Sequence, residues 1–346
     1  MSHSSDPSPS SPDSASPSEE RDALPGRAHR HRFEGPFFRR LMLGGIRHLP
    51  PEVKRLSMPL WAGIFYALLP QARRAVEKNL SRVLSDGQPD ALSSRLQAHL
   101  RFRKKCFELF VNYAQMLADS YSLLLGIPIG YKPTTVGLEN MVGAVRGGKG
   151  VIAATGHLGM WQIAPSLAQL RGLARFCLAM AEEPNRRVQA FEKQFRDRFE
   201  IIYTTESPFA SLRLAQVLRE GAMLGMQIDR NIGGQVVDVP FFGVPVAFPA
   251  GPAMLARITG APIVPHFFVI DEHDGERKVV HYIEPPIVVS HSRERARDIH
   301  DATVALVGVY ERFVRRYPTQ WYHFYDFFSA RPSSHSAATA VEPRRS

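Results

Sequence analysis

The sequence predicts an α/β protein, a mixed, largely parallel sheet covered by helices, with a helical layer ahead of it. Two rhythms predict this. Up to about residue 125, apolar residues recur at the three-to-four spacing of amphipathic helices. After residue 130, short apolar runs alternate with polar, helix-compatible segments, as in βαβ units whose strands are covered on both faces. The chain has 346 residues, 44% of them hydrophobic, enough for one large core or two smaller ones.

In order along the chain, residues 1–26 are Ser/Pro/Asp-rich with almost no apolar side chains, so burial cannot offset their ordering entropy and they are expected to be disordered. The same holds for 329–346. Residues 27–130 form the helical layer. There "RRAVEKNLSRVL" places Ala75/Val76, Leu80 and Val83/Leu84 on one side, and "RFRKKCFELFVNYAQMLADSYSLLLG" does so with Phe107, Phe110/Val111, Ala114 and Leu117/Ala118. Gly126–Gly130 with Pro128 ends it. Residues 131–328 form the α/β core, with strands predicted in "GKGVIAAT", "ARFCLAMA", "EIIYTT", "GAMLGMQI" and "APIVPHFFVI". "RKVVHYIEPPIVV" adds a strand near an edge, where Pro285 and Pro286 need not donate to a ladder. A last helix, about 293–316, stops before Pro318.

The net charge of +10 is localised. Residues 27–105 hold 17 Lys+Arg against five Asp+Glu, a net of +12, interleaved with "FEGPFFRRLMLGG" and "PLWAGIFYALL". Basic and apolar side chains at helical spacing suit a helix lying on an anionic membrane, phosphates on one side and acyl chains on the other. The apolar run 59–70 is too short to span about 30 Å of hydrocarbon. No zinc-finger, helix-turn-helix or ribonucleoprotein signature accompanies the charge, so nucleic acid is not the expected partner. The N-terminus lacks a secretory signal, and Cys106 and Cys177 show no metal spacing, which fits a reducing cytoplasm.

The stretch that suggests chemistry is "GVIAATGHLGMWQIAPSL", residues 150–167. A side chain just past the carboxyl end of a parallel strand faces the ligand crevice, and His157 takes that place. At the N-terminus of the helix expected next, the dipole would keep imidazole neutral and able to accept a proton. Gln162, five residues on, meets the ring only if His157 precedes the first turn, a bend that Gly156 and Gly159 permit. His266, His281 and His323 show no paired spacing, and no metal site is expected among them.

With these motifs the sequence resembles the lysophospholipid acyltransferase superfamily, and within it the lipid A late (lauroyl/myristoyl) acyltransferase-like branch. The resemblance covers roughly residues 40–328. It is carried in order by "ATGHLGMWQ" against the family's His-x4-Asp/Glu motif, "EEPNRRVQAF", "GMQIDRN", "VPFFGVPVAFPAGPAMLARITGAPIVP" and "RRYPTQWYHFYDFF". It implies transfer of an acyl chain from a thioester, on acyl carrier protein or coenzyme A, to a hydroxyl or amine of a lipid acceptor at the cytoplasmic face of the inner membrane. His157 would be the general base, with neither a metal nor another cofactor required. Arg230 would pair with a phosphate of donor or acceptor, or form a structural pair with Asp229. Phe241, Phe242 and Gly243 would wall the acyl groove, or the two Phe side chains would be plain core. Pro249 and Gly251 belong to a strand-turn-helix whose N–H groups suit an anion.

The departure from the family pattern is Gln162, an amide where the acid should be. An amide can orient the ring but adds no charge to the imidazolium. Three readings stay open: Gln162 orients a slower base, Asp229 or one of Glu182 and Glu183 supplies the charge, or the protein is a non-catalytic lipid-binding relative.

Overall fold

The computed structural model describes residues 44–85, 92–127, 129, 134–166, 172–181, 200–204, 209–230, 234–273 and 276–329. Residues 1–26 and 330–346, Glu182 and Glu183, and the polar, helix-compatible segment that follows them lie outside these residues.

The helical layer comprises α1 (Pro51–Leu68), α2 (Pro70–Val83) and α3 (Leu92–Leu124). Pro70 explains the first junction, because it disfavours helix at Leu69 yet is preorganised for the first position of α2. The α1 side chains that face away from the protein form a stripe: Val53, Leu56, Leu60, Ile64 and Leu68 are all exposed, Leu56 by 80% and Leu60 by 68%. Their spacing of three or four residues puts them on one face. No helix among the described residues is long and apolar enough to cross a membrane.

Seven strands form the main sheet in the order β1-β9-β8-β2-β5-β3-β4. They are β1 (Thr134–Val136), β2 (Val151–Thr155), β3 (Phe176–Met180), β4 (Glu200–Tyr203), β5 (Met223–Gln227), β8 (Ile263–His273) and β9 (Glu276–Ile283). Every pairing is parallel except β8 with β9. The mixed, largely parallel sheet is thus the expected one. β2 is buried along its whole length, as a doubly covered strand requires. Its flanking helices are α4 (Leu138–Arg146), α5 (Ala210–Arg219), α6 (Gly251–Thr259) and α7 (Arg295–Arg316).

Two features depart from expectation. The segment before α6 is an antiparallel hairpin outside the main sheet, β6 (Val236–Phe241) with β7 (Val244–Pro249). Pro240 and Pro245 face each other one pair from the turn. Next to the closing pair of a two-residue hairpin this is a non-hydrogen-bonded position, so their missing N–H groups cost nothing there. Second, no α-helix follows β2 directly. Leu158 and Gly159 make isolated bridges to Trp321 and Phe268, and a 3-10 helix covers Trp161–Ser166.

One apolar core joins the sheet to α5, α6, α7 and the hairpin, around Ile152, Leu224, Phe267 and Tyr310. A second packs α1, α2 and α3 onto Met160, Ile163, Phe268 and Tyr322. The helical layer therefore lies directly against the segment that carries His157.

Candidate active site

The register of two neighbouring strands builds the centre of the site. β2 and β5 run parallel with Thr155 opposite Gln227, and the Ile228 N–H continues the ladder to the Thr155 carbonyl at 2.9 Å. His157 and Asp229 each stand two residues beyond that pair, so they leave adjacent strand ends together. This is the crevice position of an open parallel sheet, between neighbours reached in opposite directions along the sheet order.

Asp229 Oδ1 lies 2.8 Å from His157 Nδ1, and Oδ2 accepts the His157 backbone N–H at 2.6 Å. Two further donors meet Oδ2: the Tyr310 hydroxyl at 2.5 Å and His323 Nε2 at 3.0 Å. Burial alone would push the Asp229 carboxyl up. The hydrogen bonds from His157 and His323 and the electrostatic attraction of those rings outweigh it and hold the group well below the usual carboxylate range. Asp229 is therefore ionised and can only accept, which places the proton of the His157 ring on Nδ1 and leaves Nε2 its lone pair.

Burial depresses the His157 pKa from 6.5 against the opposing pull of Asp229. The His157 ring is thus kept neutral by desolvation and not by a helix dipole, since the chain enters a 3-10 turn after it. Both glycines have a steric reason. A Cβ on Gly156 would stand 2.5 Å from the Tyr310 ring, and one on Gly159, whose φ is +62°, would stand 1.9 Å from the Phe268 carbonyl oxygen. Gly156 lets Tyr310 approach the site, and Gly159 turns the chain so that the Tyr322 N–H reaches the His157 carbonyl at 2.9 Å.

A further layer comes from α7 and the C-terminal segment. Trp321 Nε1 donates to the Tyr310 oxygen at 2.9 Å, and His323 Nδ1 lies 3.0 Å from the Tyr325 hydroxyl. Since Asp229 accepts from His323 Nε2–H, Nδ1 is the acceptor of the Tyr325 proton. Burial lowers His323 to about 4, so this ring is also neutral. Burial and the neighbouring Asp229 charge push the Tyr310 hydroxyl well above its ordinary value, so it remains a donor.

The expected site residues divide into two groups. Gln162 is exposed in the 3-10 turn, while the ring nitrogen it was expected to orient is held by Asp229. Arg230 is exposed at the rim, its guanidinium carbon 5.9 Å from the centre of the Tyr325 ring; the Asp229 oxygens are bonded by His157, Tyr310 and His323. Phe241 is wholly buried and stacks on Tyr310 at 5.8 Å. Phe242 takes a φ of +48° in the hairpin turn, held by a hydrogen bond from its N–H to Glu311 Oε2 and by Arg315 over its ring. These two side chains are committed to packing, and Gly243 completes the turn on the surface. Pro249 ends β7, and Gly251 opens α6 against Met226 of β5, with no side chain capping that helix. Tyr310, Trp321, His323 and Tyr325 had no expected role; the cluster of aromatics and histidine in "QWYHFYDFF" was the one sequence signal for the last three, and Tyr310 of α7 had none.

His157, Asp229 and His323 bring three ligand-type atoms within 4.8 Å of one another, close enough to surround a cation. Those atoms are instead joined by hydrogen bonds, and the carboxylate already accepts four. The set fits a proton-holding network better than a metal site.

The model for the bacterial lipid A biosynthesis acyltransferase family matches residues 32–329. The chain belongs to this family. It is also 28% identical over 199 residues to the phosphatidylinositol mannoside acyltransferase of Mycobacterium tuberculosis, covering 55% of this chain and 59% of that one. The enzyme of the same name from Mycolicibacterium smegmatis is 24% identical over 272 residues, 75% of this chain and 81% of its own. The chain thus matches about three fifths of the length of the first relative.

Proposed function

We propose that the protein transfers a fatty acyl chain from a thioester to a hydroxyl or amine of a lipid or glycolipid acceptor, with His157 as general base. The observation that carries this reading is the buried His157–Asp229 pair at 2.8 Å at the ends of two parallel strands. His157 Nε2 takes the acceptor proton as the acceptor oxygen or nitrogen attacks the thioester carbonyl. The imidazolium so formed is stabilised by ionised Asp229, which answers the charge missing from Gln162. The tetrahedral oxyanion collapses, the carbon–sulfur bond breaks, and Nε2–H returns the proton to the departing thiolate. The ester or amide and the free thiol account for every atom.

Arg230, exposed beside this pair, suits a phosphate of either substrate. The uncapped N-terminus of α6, at Gly251, suits the oxyanion or a phosphate. The mycobacterial relatives are named for a phosphatidylinositol mannoside, which makes a phosphorylated glycolipid a natural first acceptor to assay. Acyl carrier protein and coenzyme A both offer a thioester and negative charge to a basic surface.

The same reading seats the protein on the cytoplasmic face of the inner membrane. The exposed stripe of α1 would enter the acyl boundary and the basic residues of 27–105 would meet anionic headgroups. The test is transfer by the purified full chain from labelled acyl thioesters to a panel of lyso-phospholipids and glycolipids. Wild type is expected to transfer, and His157→Ala to be slower by about 10²–10⁴-fold. Equal rates, or inertness of both across the panel, would leave a lipid-binding relative as the better account.

A further inference from the structure

The segment that delivers His323 to the site, residues 322–328, is neither helix nor strand. One side chain of the helical layer organises it. Asn79 of α2 is 2% exposed and lies on the apolar face of that helix with Val76, Leu80 and Val83. Its Nδ2 donates to the carbonyls of His323 at 3.0 Å and Tyr325 at 2.8 Å, and its Oδ1 accepts the Phe327 N–H at 3.0 Å. Two donors and one acceptor thus meet three main-chain groups at alternate positions of a stretch that lacks a regular ladder. At this size only a carboxamide offers two donors together with an acceptor. Lys78 adds an exposed ion pair to Asp326, a weaker tie.

The clamped carbonyls belong to the two residues whose side chains form the Tyr325–His323–Asp229 chain. We infer that Asn79 is a positioning residue for the transfer reaction: it holds His323 where its Nε2–H meets Asp229 Oδ2, and so keeps the carboxylate aimed at His157. The inference rests on the acyl-transfer reading above. Its consequence is that the helical layer, through α2, is part of the catalytic apparatus.

Asn79→Asp is the sharpest variant, because it keeps size and the acceptor for Phe327 but turns an oxygen toward two carbonyls. It is compared with wild type, His323→Phe, the double variant and His157→Ala in one transfer assay, with thermal unfolding of each. The expected result is a fall in kcat of about 10- to 100-fold, as for a displacement of about 1 Å at a catalytic group, with KM within about twofold. In the His323→Phe background the same change costs little more, because the group it positions is gone. Asn79→Ser, which removes the clamp without adding charge, serves the same cycle if Asn79→Asp does not fold. Wild-type kcat in the Asn79 variant, or losses from Asn79 and His323 that multiply, would overturn the inference and leave Asn79 a structural residue. If His157→Ala were as active as wild type, the underlying reading would fail first; loss in His157→Ala with an unaffected Asn79 variant would sink this inference alone.

Discussion

Asp229 Oδ1 stands 2.8 Å from His157 Nδ1 although 72 residues separate them in the chain. The contact arises from register, since each residue lies two positions beyond a paired strand end. It decides the tautomer of the His157 ring and sets a buried negative charge beside it. A family motif with an amide at Gln162 therefore does not imply a site without an acid.

The first consequence concerns the pH profile of transfer. As the proposed base His157 would have to be neutral, and burial lowers its pKa from 6.5. kcat/KM should stay level between pH 7 and 8 and fall only in the acid range, with a midpoint below the ordinary imidazole value. A midpoint near 7 or above would mean that Asp229 outweighs burial.

Stability should show a separate acid dependence. Burial lowers His266 to about 4 and His323 to about 4, and burial with the neighbouring His266 lowers His281 to about 2. The Nδ1 of His281 has no hydrogen-bond partner among the described residues. In the unfolded chain all three titrate near 6.5, so between that pH and about 4 the unfolded state binds more protons. Stability is complete above the unfolded value and is lost as pH falls through this window, by at most about 1.4 kcal/mol per pH unit for each ring. Depression of the Asp229 carboxyl adds a loss only below its ordinary 3.8. Calorimetry at pH 7.5, 6 and 5 should show a falling Tm; a flat or rising series would contradict neutral burial.

The proposed docking of α1 on a membrane predicts two separable effects. Leu56→Ser with Leu60→Ser should weaken binding to anionic liposomes by about tenfold or more per leucine, from the apolar area withheld from lipid. These side chains are exposed, so thermal stability should hardly move. Raising salt should weaken binding of wild type, because exposed charges are screened over about 8–10 Å at physiological ionic strength. Binding that ignores both changes would remove α1 and the basic residues from the account.

Much of this was legible in sequence, for physical reasons that also mark where legibility ends. β2 and β5 could be read because doubly covered strands are continuous apolar runs, and His157 because it follows one directly. Asp229 stood only as one alternative, since the adjacency of β2 and β5 is a property of strand order and no local pattern encodes it. The β6–β7 hairpin was hidden by Pro240, Pro245 and Pro249, which read as loop until their pairing is known. The helix expected after His157 is replaced by bridges to Trp321 and Phe268, a tertiary effect. Asn79 gave one usable signal, a polar residue on the apolar face of α2, but its partners lie some 245 residues away.

The most direct test sets Asp229→Asn beside Gln162→Leu in the same purified transfer assay, with unfolding curves to confirm that both fold. The analogous Asp→Asn change in a serine-protease triad costs about 10⁴ in rate. Here Asp229→Asn should lose about 10³-fold or more, while Gln162→Leu, a change on an exposed turn, should stay within about threefold of wild type. A loss from Gln162→Leu as large as that from Asp229→Asn, or a wild-type rate with Asp229→Asn, would contradict the assignment of Asp229 as the charge behind His157.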